Sequence, residues 1–180
     1  HLADLAARGA AGAIVERTPG RLPSAFPVMQ VADTRVALSA LAEAGRAAFT
    51  GTVLGVTGSV GKSSVREMLR HVLNRQGGAS ATRANFNLLA GVELCLAETP
   101  PDATHAVFEI AIGKQGTLQQ SARWARPHVA VITAIAPVHL QGYGTLHNIA
   151  QTKAQIFDGL DPVHGIAVLN ADDPFFNLLS

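Results

Sequence analysis

The run Gly55-Val56-Thr57-Gly58-Ser59-Val60-Gly61-Lys62-Ser63-Ser64 gathers the residue types that hold a polyphosphate. Glycines let the backbone curl until successive N–H groups converge on an anion, and a following helix adds the partial positive charge of its N-terminus. Lys62 supplies a point charge for β- and γ-phosphates, and the Ser63 hydroxyl suits a Mg²⁺ ligand. Thr57, Gly58, Ser59, Val60, Gly61, Lys62, Ser63 and Ser64 are therefore the candidate nucleotide-binding residues. The strict G-x-x-x-x-G-K-[ST] spacing is not met, because Val56 stands where the first glycine would be. Gly58 restores flexibility two residues later. The competing reading is a Gly/Ser turn beside a surface lysine; the apolar run before the loop and the amphipathic pattern after it favour a phosphate loop.

A loop of this kind needs a strand to launch it and a sheet to hold its partners. Val53-Leu54-Gly55-Val56-Thr57 reads as a buried parallel strand. Helices are expected at Lys62 to Arg75, Leu88 to Ala97, Leu118 to Trp124 and Leu146 to Phe157, and strands at His105 to Ile110, Val129 to Ile132 and Ile166 to Leu169. This alternation predicts an α/β fold with a parallel sheet covered by helices on both faces. Ligands in such sheets sit beyond the carboxyl ends of the strands. Those ends are Thr57 onward, Glu109, Thr133 to His139 and Asn170 to Asp172. Before residue 50 the pattern differs: strands are expected at Gly12 to Glu16 and Phe26 to Val31 around the turn-rich Arg17 to Arg21, then a helix from Asp33 to Phe49 capped by Asp33 or Thr34. This suggests two domains, 1–49 and 50–180, with a small α/β piece preceding the phosphate-loop domain.

Composition narrows the class. The chain has 180 residues, 48% hydrophobic and 15% charged, enough apolar content for a packed core and too much for disorder. No apolar run reaches the ~18 residues needed to span a bilayer. A net charge of +1 without a Lys/Arg cluster argues against a nucleic-acid partner. The single Cys95 cannot build a disulfide framework or a structural zinc site and is expected to be a small buried hydrophobe, so a reducing, cytoplasmic setting fits. A start at His1 and an end at Ser180 suggest a piece of a longer chain, and a monomer is expected.

Several stretches together carry a resemblance. Thr57-Gly58-Ser59-Val60-Gly61-Lys62-Ser63-Ser64 resembles the T-G-x-x-G-K-[ST]-[ST] loop of the Mur ligase family. Val107-Phe108-Glu109-Ile110 resembles that family's strand-end glutamate, Ile135-Ala136-Pro137-Val138-His139-Leu140 its loop histidine, and Lys153-Ala154-Gln155-Ile156-Phe157 its K-x-x-I-[FY] segment. Leu169-Asn170-Ala171-Asp172-Asp173 is similar to its N-x-D-[DN] strand end. The order and spacing hold from about Val31 to the last residue.

The resemblance implies an ATP-dependent amide ligase with a P-loop central domain, lacking here the C-terminal domain that brings the amine. ATP phosphorylates a substrate carboxylate, and an amine displaces phosphate to form the amide. Lys62 would neutralise the triphosphate; Glu109 would hold a first Mg²⁺ with Ser63; His139 would help to hold a second. Lys153 would carry a carbamate, formed by CO₂ on its neutral amine, and so present oxygens to Mg²⁺. The catalytic set implied is Lys62, Lys153 and His139, and the metal set Ser63, Glu109, His139 and Lys153. The partners are small molecules: an acceptor carboxylate and an amino acid or dipeptide. The leading version adds D-alanyl-D-alanine to UDP-N-acetylmuramoyl-tripeptide in peptidoglycan precursor synthesis.

Some positions depart from that version. Asn85-Phe86-Asn87-Leu88-Leu89-Ala90-Gly91-Val92-Glu93 keeps two asparagines of N-x-N-N-x-x-G-x-P, with Asn85 and Asn87 as substrate candidates. Ala111 to Gly116 replaces G-x-N-H-x-G, and His139-Leu140-Gln141 replaces H-L-E. The alternatives are a related ligase acting on another carboxylate and amino acid, of cyanophycin, polyglutamate or natural-product type, or a non-catalytic P-loop nucleotide-binding module. Tyr143 in Gly142-Tyr143-Gly144 is expected to pack, in a loop that could touch substrate, and turn formation explains Asn170 and Asp172 as well as nucleotide contact does.

Overall fold

The computed structural model describes residues 2–18, 20, 26–138 and 140–180, so the expectation for His139 lies outside the described residues, as does part of the 17–21 turn. The chain divides into two compact units, His1–Ala40 and Leu41–Ser180, at a point inside one helix.

In the first unit, α1 (Leu2–Ala7) precedes β1 (Ala13–Val15) and β2 (Val28–Gln30), which pair in parallel with Ala13 opposite Val28. Both strands fall within the predicted ranges. Helix α2 (Thr34–Ala48) begins where Asp33 Oδ1 accepts hydrogen bonds from the N–H groups of Arg35 (2.7 Å) and Val36 (3.3 Å). Asp33 is thus the N-cap. Thr34 instead donates its hydroxyl to Glu16 Oε1 at 2.7 Å.

The second unit is built on a five-stranded parallel sheet ordered β4-β5-β3-β6-β7. Its strands are β3 (Thr52–Thr57), β4 (Ala79–Ala81), β5 (His105–Glu109), β6 (Val129–Ile132) and β7 (Ile166–Leu169), and its further helices are α3 (Lys62–Leu73), α4 (Leu89–Ala97), α5 (Thr117–Ala125), α6 (Leu140–Tyr143), α7 (Leu146–Ala154) and α8 (Phe176–Leu179). The chain enters at the central β3, adds β4 and β5 on one side, then β6 and β7 on the other. That reversal opens a crevice beyond the carboxyl ends of β5, β3 and β6.

Alternation along each strand separates two layers. Val53, Ala106, Phe108, Ala130 and Ile132 face a core shared with Val92, Leu96, Leu118, Ala122, Ile149 and Ile156 of α4, α5, α7 and the turn after α7. Leu54, Val56 and Val107 face Val65 and Leu69 of α3. Val56 is fully buried there, which explains the missing first glycine: this position is still strand, paired opposite Glu109, and the loop turns only afterwards. Gly55 faces the other way, where a Cβ would press on Ile156 and Pro127.

The sheet is covered less evenly than expected. Ile166 and Val168 of β7 pair with Val129 and Val131, which lie on the α3 face, yet both are exposed. Strand β4 escapes sequence reading because Ala79-Ser80-Ala81 has no β-branched or aromatic residue; pairing to β5 makes it a strand. The predicted helices ending at Arg75 and Phe157 stop at Leu73 and Ala154 and tighten into 3₁₀ turns at Asn74–Gln76 and Gln155–Gly159. Among the described residues, no helix is long and apolar enough to cross a membrane.

Candidate functional site

The loop between β3 and α3 has the backbone its glycines predict. Gly58 sits at φ 144° and Gly61 at φ 84°, both in the left-handed region. A Cβ on Gly58 would run into Thr133 Oγ1 at the end of β6. That hydroxyl belongs there, because it donates to Val60 O at 2.6 Å. Ser59 N donates to Ala134 O at 2.7 Å and Ser59 Oγ to Ala136 O at 3.0 Å, so the β6 end holds the loop from beneath. Gly61 precedes α3 and no side chain caps the helix, which leaves its first N–H groups directed at the crevice. Thr57 Oγ1 is buried without a hydrogen-bond partner, an orphaned polar atom at the mouth of the loop.

Two lysines converge on one carbonyl. Lys62 Nζ donates to Gly58 O (2.9 Å) and Ser59 O (3.2 Å), and Lys153 Nζ, reaching in from α7, donates to Gly58 O at 2.8 Å. Lys153 is only 2% exposed, which excludes the reading of an ordinary solvated lysine. Burial, reinforced by the nearby Lys62 charge, pushes its ammonium from 10.5 down to about 7. At neutral pH a substantial share of Lys153 is therefore the free amine, the form that reacts with electrophiles.

On the α3 face, Glu109 ends β5 with 1% exposure. Its Oε2 accepts from Ser63 Oγ at 2.9 Å and from Arg66 at 3.1 Å; its Oε1 accepts from Asn87 Nδ2 at 2.8 Å. Its backbone N–H donates to Thr82 Oγ1 at 2.9 Å. Arg66 also donates to Ala84 O at 2.9 Å and pairs with the half-exposed Glu67. A hydroxyl and a carboxylate oxygen in contact are hard ligands of the type Mg²⁺ takes alongside phosphates, and the guanidinium on the same Oε2 shows that this oxygen accepts a cation. Among the described residues no three His, Cys, Asp or Glu side chains gather.

The structure thus brings Lys62, Ser63, Glu109 and Lys153 to one crevice. Asn87 binds Glu109 instead of facing out as a substrate group, while Asn85 is exposed. Asn170 Oδ1 accepts from Asp172 N at 3.1 Å in an Asx turn, so turn formation accounts for it; Asp173 ties this turn to the β6 loop by accepting from Ile135 N at 2.7 Å. Tyr143 packs as expected, donating its hydroxyl to Gly113 O at 2.9 Å. Thr133 opens one of the strand ends marked from the sequence, whereas no sequence motif marks Arg66. Arg66 lies three residues after Ser63 on the same helix face, a spacing that could have linked it to the Ser63 partner.

Residues 56–180 match the family model described as Mur ligase middle domain. The chain is similar to the UDP-N-acetylmuramoyl-tripeptide--D-alanyl-D-alanine ligase of Escherichia coli (strain K12), 37% identical over 95% of this chain and 37% of that protein. The Bacillus subtilis (strain 168) ligase of the same name is 34% identical over 92% of this chain and 36% of its own length. Among solved structures, a MurF crystal structure from Acinetobacter baumannii superposes with a TM-score of 0.84 at 32% identity, covering 98% of this chain and 38% of that one. MurF ligase from Thermotoga maritima in complex with ADP gives 0.78 at 30% identity, covering 98% of this chain and 41% of that one. The chain therefore spans well under half the length of the relatives it matches.

Proposed function

The chain belongs to the Mur ligase family, and from that premise we propose that the protein of which it forms part is an ATP-dependent amide ligase joining D-alanyl-D-alanine to UDP-N-acetylmuramoyl-tripeptide in peptidoglycan precursor synthesis. The observation that carries this reading is the buried Lys153 on the phosphate loop, sharing the Gly58 carbonyl with Lys62. A plain nucleotide switch has no use for a second, half-neutral lysine there. The names of the relatives support the substrates, and the ADP in the Thermotoga maritima complex supports the nucleotide.

In this mechanism an acceptor carboxylate oxygen attacks the γ-phosphorus and ADP leaves, giving an acyl phosphate. The amine then attacks the acyl carbon, loses a proton, and expels phosphate. Lys62 turns from its two carbonyls to the β- and γ-phosphates and offsets their charge as the anions approach. The N-terminus of α3 and the 58–61 backbone cradle the phosphates. Ser63 and Glu109 would hold one Mg²⁺, with Asn87 and Arg66 fixing the carboxylate. A bound metal supplies Lewis-acid stabilisation to phosphoryl oxygens. His139 is assigned to a second Mg²⁺ from the family resemblance.

Lys153 is assigned a carbamate: its free amine attacks CO₂, the nitrogen loses a proton, and a cation becomes an anion beside the metal ligands. A carbamate nitrogen keeps one N–H, so the bond to Gly58 O can persist. Two domains, 1–49 and 50–180, a monomeric state and a cytoplasmic location complete the proposal. The test is phosphate release by the full-length protein. Release that requires ATP, UDP-N-acetylmuramoyl-tripeptide and D-alanyl-D-alanine together supports the ligase; hydrolysis indifferent to both co-substrates refutes it, and activity with another carboxylate reassigns the acceptor.

A further inference from the structure

Glu109 Oε2, the carboxylate oxygen beside the Ser63 hydroxyl, already carries a cation: the Arg66 guanidinium, at 3.1 Å. The Arg66 and Glu109 side chains are 7% and 1% exposed, so the two charges offset one another almost out of water. The other donors to this carboxylate, Ser63 Oγ and Asn87 Nδ2, are neutral. A divalent ion on Oε2 would therefore face Arg66 across a shared oxygen, in surroundings where like charges repel far more than in water.

Arg66 has a second place to rest. A single bond joins it to Glu109, whereas its Nε and Nη2 donate to Glu67 Oε1 at 3.1 and 2.9 Å and its Nη1 also donates to Ala84 O at 2.9 Å. Glu67 is half-exposed, and its other oxygen accepts from Arg70 Nε at 2.9 Å. Ala84 sits at φ 34°, a left-handed angle that a non-glycine residue keeps only where its surroundings enforce it. Without the Glu109 bond, the guanidinium still has a carboxylate partner on one side and the Ala84 carbonyl on the other.

We propose that Arg66 is a placeholder cation, which keeps the Glu109 metal position from filling until nucleotide phosphates arrive with a divalent ion, and then cedes Oε2 and stays on Glu67 and Ala84 O. The inference rests on the ligase reading for the nucleotide and the metal, and it adds an order of loading: the ion enters with phosphate and not alone. Arg66 is thus a positioning residue, acting on the ion through Glu109.

The experiment is titration of the full-length protein with Mn²⁺ as a spectroscopic stand-in for Mg²⁺, followed by electron paramagnetic resonance without nucleotide. Arg66→Met should bind the free ion at least about tenfold more tightly than wild type, because the carboxylate keeps its charge and loses its competitor. Arg66→Lys, which keeps the charge, should stay within about twofold of wild type. Arg66→Met combined with Glu109→Gln should lose the gain. Mn²⁺ should also raise the Tm of Arg66→Met more than that of wild type, a response that a purely structural arginine would not produce. Glu67→Gln, on the half-exposed side, tests the second resting place whether or not Arg66→Met folds: it should raise by about threefold the Mg²⁺ concentration at which a non-hydrolysable ATP analogue binds half-maximally. Free-ion binding by Arg66→Met no tighter than wild type, an equal gain in Arg66→Lys, or an unchanged Mg²⁺ midpoint in Glu67→Gln overturns the proposal. Wild-type analogue binding and phosphate release are measured alongside: a gain in Arg66→Met without either removes the ligase reading and keeps the cation exchange on Glu109, whereas both activities without a gain do the reverse.

Discussion

Replacing Arg66 by Met removes the cation paired, among the described residues, with a carboxylate that is 99% shielded from solvent, since the Arg66 and Glu109 side chains are 7% and 1% exposed. The guanidinium nitrogen concerned makes two bonds, to Glu109 Oε2 at 3.1 Å and to Ala84 O at 2.9 Å. Hydrogen bonds to charged groups contribute about 1.5–3 kcal/mol each, and breaking a buried ion pair from one side costs about 3–5 kcal/mol. The pair with Glu67 adds little, because Glu67 is 47% exposed. Glu109 keeps Ser63 and Asn87 as donors, which puts the loss at the lower end, about 3 kcal/mol. Equilibrium urea denaturation followed by circular dichroism measures it. Adding Glu109→Gln should recover most of the loss, because the uncompensated charge is then gone. A loss below about 1 kcal/mol, or single-variant effects that simply add, would refute the claim that Arg66 holds Glu109 in place.

Lys153→Met gives a pH signature. Since burial lowers the folded-state value from 10.5 to about 7, native and unfolded chains are equally protonated below about 7, and the unfolded chain alone retains the proton between about 7 and 10.5. In CO₂-free buffer, wild type should therefore gain stability over the variant as pH rises through that window, at up to about 1.4 kcal/mol per pH unit; a flat difference from pH 7 to 9.5 would contradict the burial argument. Gly58→Ala forces a Cβ against Thr133 Oγ1 at a left-handed φ, and should weaken binding of a non-hydrolysable ATP analogue more than tenfold by calorimetry while costing about 1–3 kcal/mol in stability. Arg46→Met removes bonds to Ala125 O, Arg126 O and Phe49 O at 2.6, 2.9 and 3.2 Å, and thermal denaturation should show about 2 kcal/mol lost without a change in nucleotide affinity.

Local chemistry is legible in the sequence alone. Apolar periodicity locates β3, β5 and β6 because their buried faces leave a pattern in the chain, β7 is legible only from its short apolar run, and glycines at 58 and 61 announce the loop because only they take its backbone angles without strain. Asp33 could be named as one of two caps because capping is a contact over three residues. Other features depend on partners far along the chain. Strand β4 exists through its pairing to β5, and the neutral tendency of Lys153 arises from burial against a loop 95 residues away. The Arg66–Glu109 pair and the Thr133 prop under Gly58 are likewise products of the β4-β5-β3-β6-β7 strand order. Residue types and spacing state which side chains are able to hold phosphate or metal, since that is a property of each group. Which of them share an oxygen, lose their water or shift their protonation is set by chain topology, because solvation and charge act through space.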